Sequence, residues 1–103
     1  MYKISFTFTK KGTMRFISHL DLMRLFMRAI RRAGLPIKMT EGFSPRPKIS
    51  LKRALKLGVE SENEEATFAF KETVNHEDFE YKLNKQLPEG IRIRGAHNFG
   101  QLQ

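Results

Sequence analysis

The period of the hydrophobic pattern changes early in this chain, and that change limits what it can fold into. Tyr2, Ile4, Phe6 and Phe8 alternate with Lys3, Ser5, Thr7 and Thr9, the pattern of a strand with one buried face. Lys10-Lys11-Gly12 supplies a turn. From Ser18 the period becomes helical: Leu22, Phe26, Ala29, Ile30 and Ala33 gather on one side at about 100° per residue, flanked by Met23 and Leu25. Ser18 with Asp21 resembles a capping box, and Gly34 followed by Pro36 ends the helix near Ala33. A strand feeding directly into a helix points to a layered α+β or α/β domain.

The remainder of the chain settles which of these it is. Leu35 to Thr40 reads as a short extended piece, Glu41 to Pro47 as a stiff loop, and Lys48 to Leu51 as a strand. The acidic run Glu60-Ser61-Glu62-Asn63-Glu64-Glu65 reads as a solvated turn before a strand over Ala66 to Phe70. Asn75 caps a second helix, with Phe79, Leu83 and Leu87 as its buried stripe. Ile91 to Arg94 alternates again as the closing strand. The order β-α-β-β-α-β is the ferredoxin-like split βαβ arrangement, with two helices on one face of an antiparallel sheet. At 103 residues the chain is expected to form one domain over 1–103.

Composition then narrows the chemistry. With no cysteine, the chain alone offers no disulfide scaffold, thiol nucleophile, thiolate zinc site or iron–sulfur ligation. No P-loop, dinucleotide fingerprint or nucleophile elbow is present, and no metal or cofactor is expected. No apolar run approaches the ~20 residues of a membrane span, and the N-terminus lacks a signal-peptide core, so the expected setting is cytoplasmic, away from a membrane. The net charge of +8 is divided unevenly. Residues 1–58 hold 14 lysines and arginines against Asp21 and Glu41, or +12, and residues 59–103 hold 5 against 9 acids, or −4. Such a field attracts polyanions.

Three segments concentrate the positive charge. Arg24, Arg28, Arg31 and Arg32 fall within about one quadrant of the first helix, opposite its apolar side and beside Asp21. Like charges at i, i+4 each cost a few tenths of a kcal/mol, so either acids of the second half or an external anion must compensate them. An ordinary surface helix mixes lysine with glutamate. Four arginines favour phosphate, which their planar forks match.

The second segment, Gly42-Phe43-Ser44-Pro45-Arg46-Pro47-Lys48, sets an aromatic beside two cations in a stiffened loop. It suits a stacked, unpaired base with its phosphate, and equally a Phe43 that plugs the end of the core. The third is the helix entry, where Arg15, Ser18, His19 and Asp21 surround free N–H groups that favour an anion. His19 is the single candidate for acid–base work, and one imidazole makes no mechanism. The set expected to touch nucleic acid is Arg15, Ser18, His19, Arg24, Arg28, Arg31, Arg32, Phe43, Ser44, Arg46 and Lys48.

The runs Arg15-Phe16-Ile17-Ser18-His19-Leu20-Asp21-Leu22-Met23-Arg24, Arg28 to Pro36, Glu41-Gly42-Phe43-Ser44-Pro45-Arg46-Pro47-Lys48-Ile49-Ser50 and Leu57 to Ser61 resemble the radical-SAM-linked protein family, over most of residues 3–94. That family has no established activity. Its members occur alone or fused behind cobalamin-binding radical SAM enzymes, often near genes of RNA processing. Family domains run to about twice this length, so 1–103 corresponds to an N-terminal half or a short member. Arg46 stands where the family often has histidine, which suits an anion better than a metal.

Three functions follow from these readings. The first is a non-catalytic module that binds RNA, tRNA or rRNA, for a radical SAM modification or processing system. The second is an adaptor docking onto the radical SAM enzyme itself. The third is a small ferredoxin-like ribonuclease using His19.

Overall fold

The computed structural model describes residues 2–99. Strand β1 spans Tyr2–Lys10, a 3-10 turn spans Gly12–Phe16, and helix α1 spans His19–Ala33. Strands β2 and β3 cover Ile49–Leu51 and Ser61–Phe70, helix α2 covers His76–Asn84, and β4 covers Ile93–Phe99. The sheet order is β2-β3-β1-β4, and every neighbouring pair is antiparallel. That order places β3 between the two strands that α1 connects, and β1 between the two that α2 connects. This is the ferredoxin-like α+β fold.

The helices form where the capping chemistry allows them. Ser18 accepts a hydrogen bond from the Asp21 amide, and Gly34, at φ +71°, closes α1 in the left-handed conformation that a Cβ disfavours. Asn75 takes the amides of both Glu77 and Asp78 at the start of α2. Leu22, Phe26, Ala29 and Ile30 of α1 and Phe79 and Leu83 of α2 are buried against the sheet.

Six phenylalanines make the centre of the core. Phe6, Phe8, Phe26, Phe68, Phe70 and Phe79 are all essentially inaccessible, with adjacent ring centroids 4.9 to 6.3 Å apart and mostly edge-to-face. They come from β1, β3, α1 and α2, so one cluster ties both helices to the two central strands.

Three expected boundaries move, and the first is the end of α2, which stops at Asn84 and leaves Leu87, expected in its buried stripe, half-buried beyond the helix. The acidic run is not a turn: β3 begins at Ser61, five residues before the apolar alternation, and Phe8 faces Glu64 across the ladder. Opposite charges replace apolar side chains there. Glu64, almost wholly buried, accepts two hydrogen bonds of 3.1 Å from Arg53, while Glu65 pairs with Lys52 and Glu62 with Lys11 and Arg94. The closing strand shifts to Ile93–Phe99 and overlaps the expected Ile91–Arg94 by two residues. Ile91 is buried, but its amide bonds Pro88 in a turn, and the strand continues through Gly95-Ala96-His97 because a register shift keeps it paired with Lys3 to Ser5.

The segment between Pro36 and Leu51 is a strand interrupted by a projection. Ile37 faces Phe70 and Ile49 faces Phe68, adjacent same-face rungs of β3, so residues 39–47 leave the sheet and return to the same line. Lys38 and Lys48 join at the base through a 2.8 Å backbone bond, and the Thr40 amide reaches the Arg46 carbonyl at 2.7 Å. The Arg46 amide in turn donates to Thr40 Oγ1 at 2.9 Å. The result is a braced finger at the β2 edge.

Hydrogen bonding from Arg53 holds the Glu64 carboxyl below its usual range; burial opposes this, and Ser61 and the charges of Arg53 and Lys10 add to it. A folded-state pKa below the unfolded one contributes stability that is full above the unfolded glutamate value of about 4.3 and is lost as pH falls through the folded value. Glu64→Gln is therefore expected to be less stable than the parent at pH 7, with the difference shrinking below about pH 4. Urea midpoints across that range check it.

Candidate nucleic-acid interface

Helix α1 turns its arginines outward because its opposite side is committed to the phenylalanine cluster. Arg24, Arg28, Arg31 and Arg32 are all exposed. Asp21 meets Arg24 at 3.6 Å. Among the described residues no carboxylate pairs with Arg28, Arg31 or Arg32. The acids of the second half do not compensate this stripe, since those at the start of β3 pair with Lys11, Lys52, Arg53 and Arg94 instead.

One turn apart, Arg28 and Arg32 line a groove of about 380 Å³ with Lys85, Gln86 and Leu87, which follow the end of α2. Lys85 lies 4.8 Å from the Tyr81 ring centroid. Three cations around one groove, with no acid in its lining, make a site for an oxyanion such as a backbone phosphate. Lys85 was not among the sequence candidates. It sits in the net-acidic half, and only the crossing of α1 and α2 brings it to the arginines.

The loop candidates stand at the end of the finger. Phe43 is completely exposed, so it does not plug the core. Ser44 and Arg46 are exposed with it, and Lys48 is half-buried at the root. Two prolines and the Thr40–Arg46 hydrogen bonds hold the projection in shape. An aromatic carried this way loses little conformational entropy when a base stacks on it.

The helix entry differs from expectation. Arg15 belongs to the separate 3-10 turn, where its guanidinium donates to the Gly12 carbonyl at 2.8 Å and lies 4.4 Å from the Phe16 ring centroid. It is thus engaged away from the free amides of α1. Ser18 is occupied as the cap. His19, the first helical residue, is exposed, and its side chain makes no hydrogen bond with another described residue. No group of three metal-binding side chains is found among the described residues.

Lys10, expected in an exposed turn, is instead buried at 1% exposure as the last residue of β1. Its ammonium donates to the carbonyls of Arg15, at 3.2 Å, and Lys56. Gly58, at φ +83° beside the Phe16 ring, bonds the Arg15 carbonyl at 2.6 Å. Together these contacts join the 3-10 turn to the segment before β3, leaving Phe16, Leu57 and Val59 exposed.

The candidates therefore occupy two regions. The arginine groove belongs to the helix layer, whereas a cleft at the finger's root opens on the other side of the sheet, where Lys3 and Thr67 point. A cavity of about 680 Å³ between α2 and β4 mixes His76, Glu77, Glu80, Lys85 and Arg92. Glu80 and Asn84 serve there to bond the edge of β4 at Ala96 and Ile93.

All of this architecture but Tyr2 falls within one family match, over residues 3–102. The chain belongs to the family described as uncharacterized proteins conserved in bacteria (DUF2344). No curated protein matches it significantly. Family membership thus supplies no activity, and the functional reading rests on the chemistry of the two regions.

Lys10→Met removes the donor to two carbonyls in the interior. Both carbonyls keep a backbone donor, Gly58 for Arg15 and Val59 for Lys56. The loss is that of the hydrogen bonds of one buried charged donor, about 1.5–3 kcal/mol, and a domain of this size loses roughly 4–8 °C of melting temperature per kcal/mol. Thermal unfolding followed by circular dichroism is expected to show a drop of at least several degrees.

Proposed function

We propose that this chain is a non-catalytic RNA-binding module that serves a radical SAM RNA-modification or RNA-processing system. The observation that carries the RNA reading is the groove in which Arg28, Arg32 and Lys85 converge with no acid in its lining. Arg24 and Arg31 extend it along α1, and Phe43, Arg46 and Lys48 give the finger an aromatic and two cations. Arginine forks grip phosphate irrespective of sequence, while an exposed ring stacks on any unpaired base. Structured RNAs such as tRNA and rRNA present both features. The link to a radical SAM enzyme rests on the resemblance of the RFISHLDLMR and EGFSPRPKIS runs alone.

A second reading, the adaptor, has its own observation. Phe16, Leu57 and Val59 are exposed in two segments that meet at Gly58, and apolar side chains displayed together suit contact with a protein. Co-purification with a radical SAM enzyme that survives nuclease treatment, and is lost in Phe16→Asp, would favour it.

Filter binding of tRNA and rRNA fragments at several salt concentrations tests the RNA reading. Binding is expected to weaken steeply with salt, and Arg28→Ala and Arg32→Ala are each expected to reduce the slope of log K against log salt by about 0.7–0.9, the loss of one phosphate contact. An unchanged slope in both variants, or affinity no better than that of a neutral control protein at low salt, would end the reading.

A further inference from the structure

The sheet face turned away from the helices is polar. Lys3, Ser5, Thr7, Ser50, Glu65, Thr67, Arg94 and His97 occupy it by register, and Phe99 falls opposite Lys3 on the same side. At the β2 edge the finger's root walls off a cleft of about 340 Å³, lined by Lys3, Thr40, Pro47, Lys48, Ser50 and Thr67.

The lining of this cleft combines the apolar Pro47, Ile49 and Ala69 with polar groups of one chemical character. It contains two ammonium groups and three hydroxyls, with no carboxylate. The Thr67 hydroxyl is shared with Ser5 at 2.8 Å, and Thr40 Oγ1 accepts from the Arg46 amide, which leaves its proton to donate. Ser50 makes no hydrogen bond through its side chain with another described residue. Cations with hydroxyl donors match a phosphate, and hydroxyls that both donate and accept match a ribose. The volume lies at the small end of ligand clefts, which run about 300–1,000 Å³. A single nucleotide fits that scale and a duplex does not.

We propose that the cleft at the finger's root is a second ligand site, distinct from the arginine groove, which takes the phosphate and ribose of one unpaired nucleotide. Lys3 and Lys48 hold the phosphate, and Ser50, Thr67 and Thr40 meet the sugar. The lining of the cleft holds no aromatic side chain, so the base is left towards solvent and the finger. This deepens the RNA reading by naming an unpaired nucleotide as what the finger side accepts. Its test needs no RNA, so the two readings fail separately.

The full chain, labelled with nitrogen-15, is titrated with adenosine monophosphate, adenosine and inorganic phosphate while its amide resonances are followed. The monophosphate is expected to shift the amides of Lys3, Ser50 and Thr67 at millimolar concentration, leaving those of Arg28 and Arg32 in place. Adenosine is expected to bind about tenfold more weakly, the loss of a charge-assisted hydrogen bond. Lys48→Ala weakens the monophosphate by a similar factor, Thr67→Val weakens it without removing a charge, and Arg28→Ala leaves it unchanged. Retained dispersion of the amide spectrum shows that each variant is folded. Shifts confined to α1, no shift at all, or inorganic phosphate binding as well as the nucleotide would overturn the proposal. An absent nucleotide site alongside intact RNA binding would remove the cleft and leave the arginine groove standing.

Discussion

Phe6 sits at the point where the two layers of this protein meet. Its ring contacts those of Phe8, Phe26, Phe68 and Phe79, at centroid distances from 4.9 to 6.3 Å. β1 is an inner strand of the sheet, so a side chain projecting from its middle reaches both helices at once. Truncating a buried phenylalanine of this kind costs about 3–5 kcal/mol, a large part of the 5–15 kcal/mol that stabilises a typical domain. The outward direction of the α1 arginines depends on this cluster, because Leu22, Phe26 and Ile30 fix the rotation of the helix. With both helices on one side, the other sheet face is left to hydroxyls and charges.

The same packing redistributes the charge of the chain. The sequence places +12 in the first 58 residues, but not all of that charge is available to a ligand. Lys10 is buried against backbone carbonyls, and Lys11, Lys52 and Arg53 are matched by glutamates at the start of β3. Among the described residues, Arg28, Arg31 and Arg32 of the α1 stripe and Arg46 and Lys48 of the finger are among the cations left unmatched by carboxylates. Buried and paired charges organise the end of the molecule around the 3-10 turn, and the unpaired ones mark the surfaces suited to an anion. Arginine and lysine counts alone do not separate these two uses.

The two surfaces lie on opposite sides of the sheet, which bears on how one RNA could use both. A polyanion gripped by Arg28, Arg32 and Lys85 must pass around the molecule to place a nucleotide beside Lys48. On the RNA reading proposed above, the groove would alternatively take a backbone segment and the finger an end or loop. Either way, a folded or bent RNA meets the requirement better than a straight duplex.

Local rules made much of this fold legible. Alternation in Tyr2 to Thr9, the Ser18 and Asn75 caps, Gly34 before Pro36, and the helical spacing of Leu22, Phe26 and Ile30 each act within a few residues, so the sequence by itself determined the order of elements and the exposed arginine face. Partners distant in the chain were not legible. The acidic start of β3 has no apolar signal because its pairing is with Arg53, Lys52 and Lys11, and Lys10 looks like a turn residue until Arg15 and Lys56 close over it. The helix crossing alone brings Lys85 to Arg28 and Arg32, and sheet pairing on both sides of residues 39–47 makes that loop a projecting finger. Side-chain chemistry is written locally, whereas the juxtaposition of those side chains is set by contacts between segments tens of residues apart.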